Sequence, residues 1–140
     1  MALLLNNELL TKSHWATTQL IHGKANILHL SWDEDNHLDI INVHVPNPMQ
    51  EKIEFWTQMT ETLQQRVKRE HTILLGDFNF IESALDRLPQ HMDDNRLIQT
   101  FEHVTHSLQM VNGWQLDNPN QIDFTFSQTH ATGNSLARID

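Results

Sequence analysis

Residues 72–79, with the sequence TILLGDFN, constrain the fold of this chain more than any other stretch. Three apolar residues follow one another without alternation, a pattern typical of a strand that is covered on both faces in a layered α/β protein. Gly, Asp, Phe and Asn come directly after them, which predicts that the strand ends at the mouth of the sheet, where such proteins bind ligands. Because residues i and i+2 of an extended chain point the same way, we expect Asp77 and Asn79 to face one site together.

Composition sets the broad class of the protein. A chain of 140 residues with 39% hydrophobic and 19% charged residues is ordinary for one globular domain. It has no cysteine, which excludes disulfides, thiolate metal sites and cysteine catalysis. The apolar start MALLL is too short to span a membrane and has no basic flank, so we expect an intracellular protein. A net charge of −9 argues against nucleic-acid binding through the overall field, so any such binding has to be local.

The first half of the chain reads as strands followed by a helix. The runs ALLL, ATTQLIH, NILHLSW and LDIINVHV are short and rich in apolar or β-branched residues, and DEDNH reads as a turn, which predicts an antiparallel meander. From about residue 48 to residue 68 the apolar period becomes helical. Asn47 can cap this helix, Pro48 suits its first turn, and Gln50 completes a possible capping box.

The second half predicts a second helix and three short strands. Pro89 interrupts the irregular residues 80–94. An amphipathic helix is expected over about 94–110, with Asp93 or Asp94 as its cap, followed by strands at GWQL, IDFTFS and LARID. This order favours an α/β sandwich, with strands 38–45 and 72–77 in sheets packed face to face and the first helix outside.

Four motifs in one order carry a resemblance to a known family. INVHVPN, GDFN, FTFS and ARID together resemble the endonuclease/exonuclease/phosphatase superfamily, and are most similar to LINE-type retrotransposon endonucleases. The resemblance implies a Mg²⁺-dependent phosphodiesterase that cuts DNA. The implied fold class is an incomplete four-layer α/β sandwich, two mostly antiparallel sheets packed face to face with outer helices, in one partial domain over residues 1–140.

The resemblance also implies roles for individual residues. Asp77 matches the base that takes a proton from the attacking water, and Asn79 matches a residue that holds the scissile phosphate or a metal. The two are the expected Mg²⁺ donors, in a weak and incomplete site. Asp140 matches the ARID aspartate, which orients the catalytic groups. His44 stands where the family usually carries a tyrosine that contacts the phosphate; an imidazole can also donate that hydrogen bond.

Asn47, Thr125 and Arg138 match the part of the family that faces DNA, so they are the expected substrate-binding residues. Each motif also has a purely structural explanation. Asn47 is explained by helix capping, Thr125 by strand packing, and the Asp77 and Asn79 pair by a turn in which both bond their own backbone.

Several functional residues of the family have no match. They are an asparagine and a metal-binding glutamate from earlier strands, and a histidine from a later loop. Glu8 lies in a turn and does not replace the glutamate, and His103 and His106 read as a solvated helix face. We therefore expect a fragment that is inactive in isolation and prone to self-association through unpaired strand edges.

Other functional readings stay open. One is a non-catalytic remnant that at most binds a partner. Another is a phosphatase-like or RNase-like relative that acts on a phosphoinositide or RNA, which the acidic charge favours. A nuclear location is expected if the chain is part of a functional retrotransposon.

Overall fold

The larger of two sheets has four strands in the order β1-β2-β3-β4. The computed structural model describes residues 4–6, 8, 14–33, 35–64, 71–119, 121–130 and 133–139. The strands are β1 His14–Ile21, β2 Ala25–Ser31, β3 His37–His44 and β4 Thr72–Asp77. The first three pair antiparallel, so the predicted meander is confirmed. Leu4 and Leu5 lie outside any strand, and Ala2 and Leu3 fall outside the described residues.

Helix α1, Met49–Gln64, connects β3 to β4, and these two strands pair in parallel. The predicted placement of residues 38–45 and 72–77 in sheets packed face to face is therefore wrong, because the two strands lie side by side in one sheet. A helical crossover returns the chain to the same end of the sheet, and so delivers the next strand parallel to the previous one. The predicted helix is confirmed up to the end of its described part.

The second sheet has three antiparallel strands in the order β5-β7-β6. The remaining elements in chain order are a short 3-10 helix Ala84–Asp86, β5 Arg87–Leu88, α2 Asn95–Ser107, α3 Gly113–Asp117, β6 Phe126–His130 and β7 Gly133–Ala137. The expected strand at GWQL is wrong. Those residues begin α3 because the Asn112 side chain accepts a hydrogen bond from the Gln115 backbone N–H at 3.1 Å and so caps a helix.

The helix caps differ in part from the expectation. The Pro48 carbonyl accepts the first helical hydrogen bond of α1, from Lys52 N–H at 3.0 Å. Gln50 donates through Nε2 to Glu54, and among the described residues its side chain accepts no hydrogen bond from the Asn47 N–H, so the predicted capping box is wrong. Asp94 does cap α2, since its side chain accepts from the Arg96 N–H at 2.8 Å.

One face of the larger sheet packs on α1 and α2. Trp56 of α1 is fully buried at the centre of this core. Its ring centroid lies 4.8 Å from that of Phe101 and 5.0 Å from that of Phe55, and Phe78 stacks on it at 5.9 Å. Within the described part of the chain, the Trp56 indole N–H has no hydrogen-bond partner. Since Phe78 follows directly after β4, the core fixes the strand end that carries Asp77 and Asn79.

β4 lies at the edge of the larger sheet as described, and part of it is exposed. Among the described residues β4 pairs only with β3, and Ile73 and Leu75 are 47% and 39% exposed. They line a cavity of about 820 Å³ that also touches α2, α3 and the residues after β7. The expectation that both faces of this strand are covered is thus wrong for the described chain. Self-association through this edge stays a prediction.

Taken together, the described elements form a mixed α/β fold of two sheets and flanking helices. No helix in the described ranges is both long and apolar enough to cross a membrane.

Candidate active site at the ends of β3 and β4

The parallel pairing of β3 with β4 places His44 directly opposite Asp77. Gly76, the residue before Asp77, makes this pairing possible. It adopts a φ of 133°, and a Cβ at this position would lie 2.0 Å from the Val43 carbonyl oxygen of β3. Only glycine accommodates both the conformation and the contact. The Gly of the GDFN motif therefore brings the carboxylate of β4 to the last residue of β3.

Asp77 uses its two carboxylate oxygens differently. Oδ1 accepts a hydrogen bond from the Asn79 backbone N–H at 3.0 Å, which is the local turn bond expected from the purely structural reading. Oδ2 lies 3.5 Å from Nδ1 of His44. The Asp77 side chain is 35% exposed and that of His44 is 60% exposed. The turn thus occupies one oxygen, and the second faces an imidazole and solvent.

Asn79 is held in an uncommon backbone conformation, with φ at 55°. Its side-chain Nδ2 donates to the carbonyl oxygen of Val45 at 2.7 Å. Since a carbonyl only accepts, this bond fixes which end of the amide is the nitrogen. The amide oxygen accepts no hydrogen bond from the described residues. The second N–H of the same amide also has no partner among the described residues, so the side chain can donate to a phosphate oxygen or offer its oxygen to a metal, and both expected roles of Asn79 stay predictions.

A buried cation lies beneath this turn. Lys52 of α1 is 7% exposed, and its Nζ donates to the carbonyl oxygen of Asn79. Burial lowers the pKa of Lys52; the negative charge of Asp93 and, more weakly, that of Asp77 oppose this, while Arg87 adds to it. Sequence reasoning missed Lys52.

The signal for Lys52 was present in the spacing of α1. Residues 52, 55, 56 and 59 recur at one-face helical spacing, and the last three are the buried Phe55, Trp56 and Met59. A lysine on such a face requires an interior partner, because a buried ammonium without one is costly.

A second set of charges fixes the segment after Asn79. Oδ2 of Asp93 accepts a hydrogen bond from the Ile81 N–H at 2.8 Å. Arg87 donates to both oxygens of Asp93 at 3.2 Å, and the two side chains are 16% and 12% exposed. Asp93, considered as a helix cap from the sequence, therefore anchors the loop that follows the GDFN motif.

Thr125 is connected to the residue after β4 through two hydrogen bonds of the Ile139 backbone. The hydroxyl Oγ1 of Thr125 accepts from the Ile139 N–H at 3.2 Å, and the Ile139 carbonyl accepts from the Phe78 N–H at 2.7 Å. Asp140 itself lies outside the described residues, so its expected place in the site stays a prediction.

Arg138 is engaged inside the fold. Its guanidinium donates to Asp86 Oδ1 at 3.0 Å and to Gln115 Oε1 at 3.0 Å, and it lies 4.3 Å from the centre of the Trp114 ring. The side chain is 11% exposed. Asn47, by contrast, is exposed on the connection between β3 and α1. DNA contact by either residue stays a prediction. For Arg138, such a contact would compete with its hydrogen bonds to Asp86 and Gln115.

Comparisons with known proteins agree with this architecture. No family model matches the chain. A curated relative, the uncharacterized 149 kDa protein of transposon TX1 from Xenopus laevis, is 28% identical over 127 residues, which are 89% of this chain and 9% of that protein. The endonuclease domain of TRAS1, a telomere-specific non-LTR retrotransposon, superposes with a TM-score of 0.59 at 12% identity, covering 90% of this chain and 53% of that structure. The chain has the fold of a retrotransposon endonuclease domain. The resemblance to a retrotransposon endonuclease and the α/β sandwich class inferred from the sequence are confirmed, and the expected incompleteness of the sandwich stays a prediction.

The residues that the structure describes do not by themselves make a magnesium site. Asp77 and Asn79 supply a carboxylate oxygen and an amide oxygen. Across the described ranges no group of three or more His, Cys, Asp or Glu side chains could hold a metal ion, and this includes His103 and His106. Mg²⁺ requires octahedral oxygen coordination and is usually held by carboxylates together with substrate phosphates. Two donors do not fit a firmly bound ion.

Proposed function

We propose that this chain carries the base-bearing part of a phosphodiesterase site of the DNA endonuclease type. The observation that carries the proposal is the cluster of Asp77, His44 and Asn79 at the carboxyl ends of two parallel strands. Ligands bind at this edge in open α/β sheets. The fold shared with the endonuclease domain of TRAS1 and the similarity to a transposon protein support DNA as the substrate class.

Each side chain has a role that its geometry permits. Asp77 Oδ2 is the proton acceptor for an attacking water, because the turn to Asn79 leaves this oxygen without a backbone donor. His44 is 60% exposed and beside that oxygen, so its imidazole can donate a hydrogen bond to a phosphate oxygen of the substrate. Asn79 keeps its amide oxygen and its second amide N–H free of hydrogen bonds with the described residues, so either can contact a bound ligand.

We propose further that the chain does not complete the reaction alone. A divalent cation, when bound, would offset the charge of the phosphate, and Asp77 with Asn79 supplies too few donors to retain one tightly. Mg²⁺ is therefore expected to bind weakly, and further groups are needed for turnover.

A binding experiment tests the site without requiring turnover. A fluorescently labelled DNA duplex is titrated with the wild-type chain and with Asp77→Asn, in EDTA and in Mg²⁺, and anisotropy gives the Kd. In EDTA, Asp77→Asn is expected to bind about fivefold more tightly, because it removes a carboxylate that repels the phosphate. In Mg²⁺ the difference is expected to shrink, since the cation reduces that repulsion.

Asp35→Asn is the matched control. It makes the same charge change in the turn before β3, at the opposite end of that strand from His44. Equal effects of the two substitutions would mean that only net charge matters and would contradict the site, as would the absence of DNA binding. Tighter binding to an RNA duplex or an inositol phosphate than to DNA would overturn the choice of substrate.

A further inference from the structure

Lys52 lies on the buried face of α1, where the other side chains are apolar. It is 7% exposed, and Phe55, Trp56 and Met59 share its face of the helix. Lysine is rarely buried to this degree without a partner, because desolvating an ammonium is costly. Its retention in the core needs a reason that packing alone does not supply.

The partner of Lys52 is a single backbone group of the candidate site. Its Nζ donates to the carbonyl oxygen of Asn79, which lies 27 positions further along the chain. Asn79 is one of two described non-glycine residues with a positive φ. A left-handed conformation of this kind is unfavourable for a residue with a side chain and persists only where the surroundings stabilise it.

The direction of a carbonyl is set by the backbone torsions on either side of it. A donor that fixes the Asn79 carbonyl therefore also restricts where the Asn79 side chain and N–H point. Those groups make the contacts with Val45 and Asp77 that define the site. Lys52 thus acts on the site through the backbone of Asn79.

Three other charged side chains act on the Lys52 ammonium from a longer range than the Asn79 carbonyl does. Asp93 and Asp77 attract it, and Arg87 repels it. Asp93 is itself committed to Arg87 and to the Ile81 N–H. Among the described residues no carboxylate lies within ion-pair distance of the Lys52 ammonium, so the Asn79 carbonyl is its specific partner.

We infer that Lys52 is a positioning residue, whose buried ammonium holds the left-handed turn at Asn79 and thereby sets the relative placement of Asp77 and Asn79. The inference deepens the proposed function, and any consequence for nucleic acid rests on that function. The positioning itself is independent of which substrate the site takes.

The test compares three variants by NMR of ¹⁵N-labelled protein. Lys52→Met keeps the apolar stem of the side chain and removes the charge and the donor. Lys52→Arg keeps the charge and a donor, and Lys24→Met removes an exposed lysine that pairs with Glu51 at 3.4 Å. The readouts are the chemical shifts of the Asn79 backbone and side-chain amides, and hydrogen exchange of the Asn79 N–H relative to that of Leu28 in β2.

In Lys52→Met, exchange at Asn79 is expected to rise about tenfold more than exchange at Leu28, with shifted Asn79 resonances, because a charged hydrogen bond on the turn is lost. Lys52→Arg is expected to restore most of both signals, and Lys24→Met to leave them unchanged. Equal changes at Asn79 and Leu28 would show that Lys52 only stabilises the whole fold and would overturn the inference.

Two further measurements keep the outcomes separate. If Lys52→Met does not fold, Lys52→Gln supplies a neutral donor; unchanged Asn79 resonances in that variant contradict a role for the ammonium, and shifted ones support it. DNA affinity of the same variants is read separately. If the Asn79 resonances shift in Lys52→Met but the wild-type chain binds no DNA, the positioning role is upheld and the proposed function is rejected.

Discussion

Nδ1 of His44 lies 3.5 Å from Oδ2 of Asp77, across the last register pair of two parallel strands. The pair is open to solvent, so its attraction contributes at most about 1 kcal/mol to stability after screening by water. The significance of the pair is geometric. The register of β3 and β4 brings a proton acceptor and an imidazole donor together without a loop that would have to order first.

The first prediction concerns catalysis by the purified chain. We expect no Mg²⁺-dependent nicking of supercoiled plasmid above the level of an Asp77→Ala control, because the described residues include the proposed base Asp77 but no complete set of metal donors. Agarose-gel conversion of supercoiled to open-circular DNA measures the outcome. Nicking by the wild-type chain that disappears in Asp77→Ala would overturn this expectation, and loss of the same nicking in His44→Ala would assign His44 a missing role.

The second prediction concerns Gly76. Gly76→Ala is expected to lower the free energy of unfolding by about 3 kcal/mol or more, because the new methyl group meets the Val43 carbonyl in a backbone conformation that favours glycine. Urea unfolding followed by circular dichroism gives the value. Gly113→Ala is the matched control, since nothing lies within 4 Å of a Cβ there. Similar stabilities for the two variants would reject the close approach of β4 to β3.

The third prediction separates the two roles of Arg138. Arg138→Met is expected to reduce the free energy of unfolding by about 3 kcal/mol, since it leaves the buried Asp86 carboxylate without its cation. Arg96→Met, which removes a guanidinium that is 73% exposed and pairs with Asp94, is expected to cost less, about 1 kcal/mol or below, because water screens this pair. If Arg138→Met instead weakens DNA binding and leaves urea unfolding unaltered, the substrate-binding role implied by the family resemblance is the correct one.

The fourth prediction is a pH dependence at the start of α2. The side chain and backbone N–H of Arg96 lower the pKa of Asp94 from 3.8 to about 2. A depressed carboxyl pKa stabilises the folded state above the unfolded value and loses that effect as the pH falls through the folded value. The Tm of Asp94→Ala should therefore lie below that of the wild type at pH 6, and the two should converge as the pH approaches 2. A constant difference in Tm over this range would argue against the ionised cap.

The sequence predicts the parts of the fold that local patterns determine. The apolar and β-branched runs of β1 to β3, the turn between β2 and β3, the helical period of α1 and the cap at Asp94 all appear in the structure. The neighbour of β4 was predicted wrongly because strand pairing depends on how a crossover packs, which no local pattern encodes. The segment GWQL was predicted wrongly because a cap at Asn112 outweighs the strand preference of its aromatic residue.

The candidate site divides in the same way. Asp77, Asn79 and His44 were predicted from motifs near strand ends, and the structure brings all three together. Lys52 was missed because its importance lies in a contact with a backbone carbonyl 27 residues away. The interior position of Arg138 was likewise hidden, since its partner Asp86 lies 52 residues earlier in the chain.

The crossover from β3 through α1 to β4 also keeps the residues of the site within one continuous stretch of the chain. His44, Lys52, Asp77 and Asn79 all belong to this single βαβ unit or the turn that closes it. A rearrangement of DNA that joins new sequence on either side of the unit keeps their spacing along the chain unchanged. The geometry of the turn still depends on residues outside the unit, because Phe101 of α2 packs against Phe78 and the side chain of Asp93 accepts a hydrogen bond from the Ile81 N–H just after the turn.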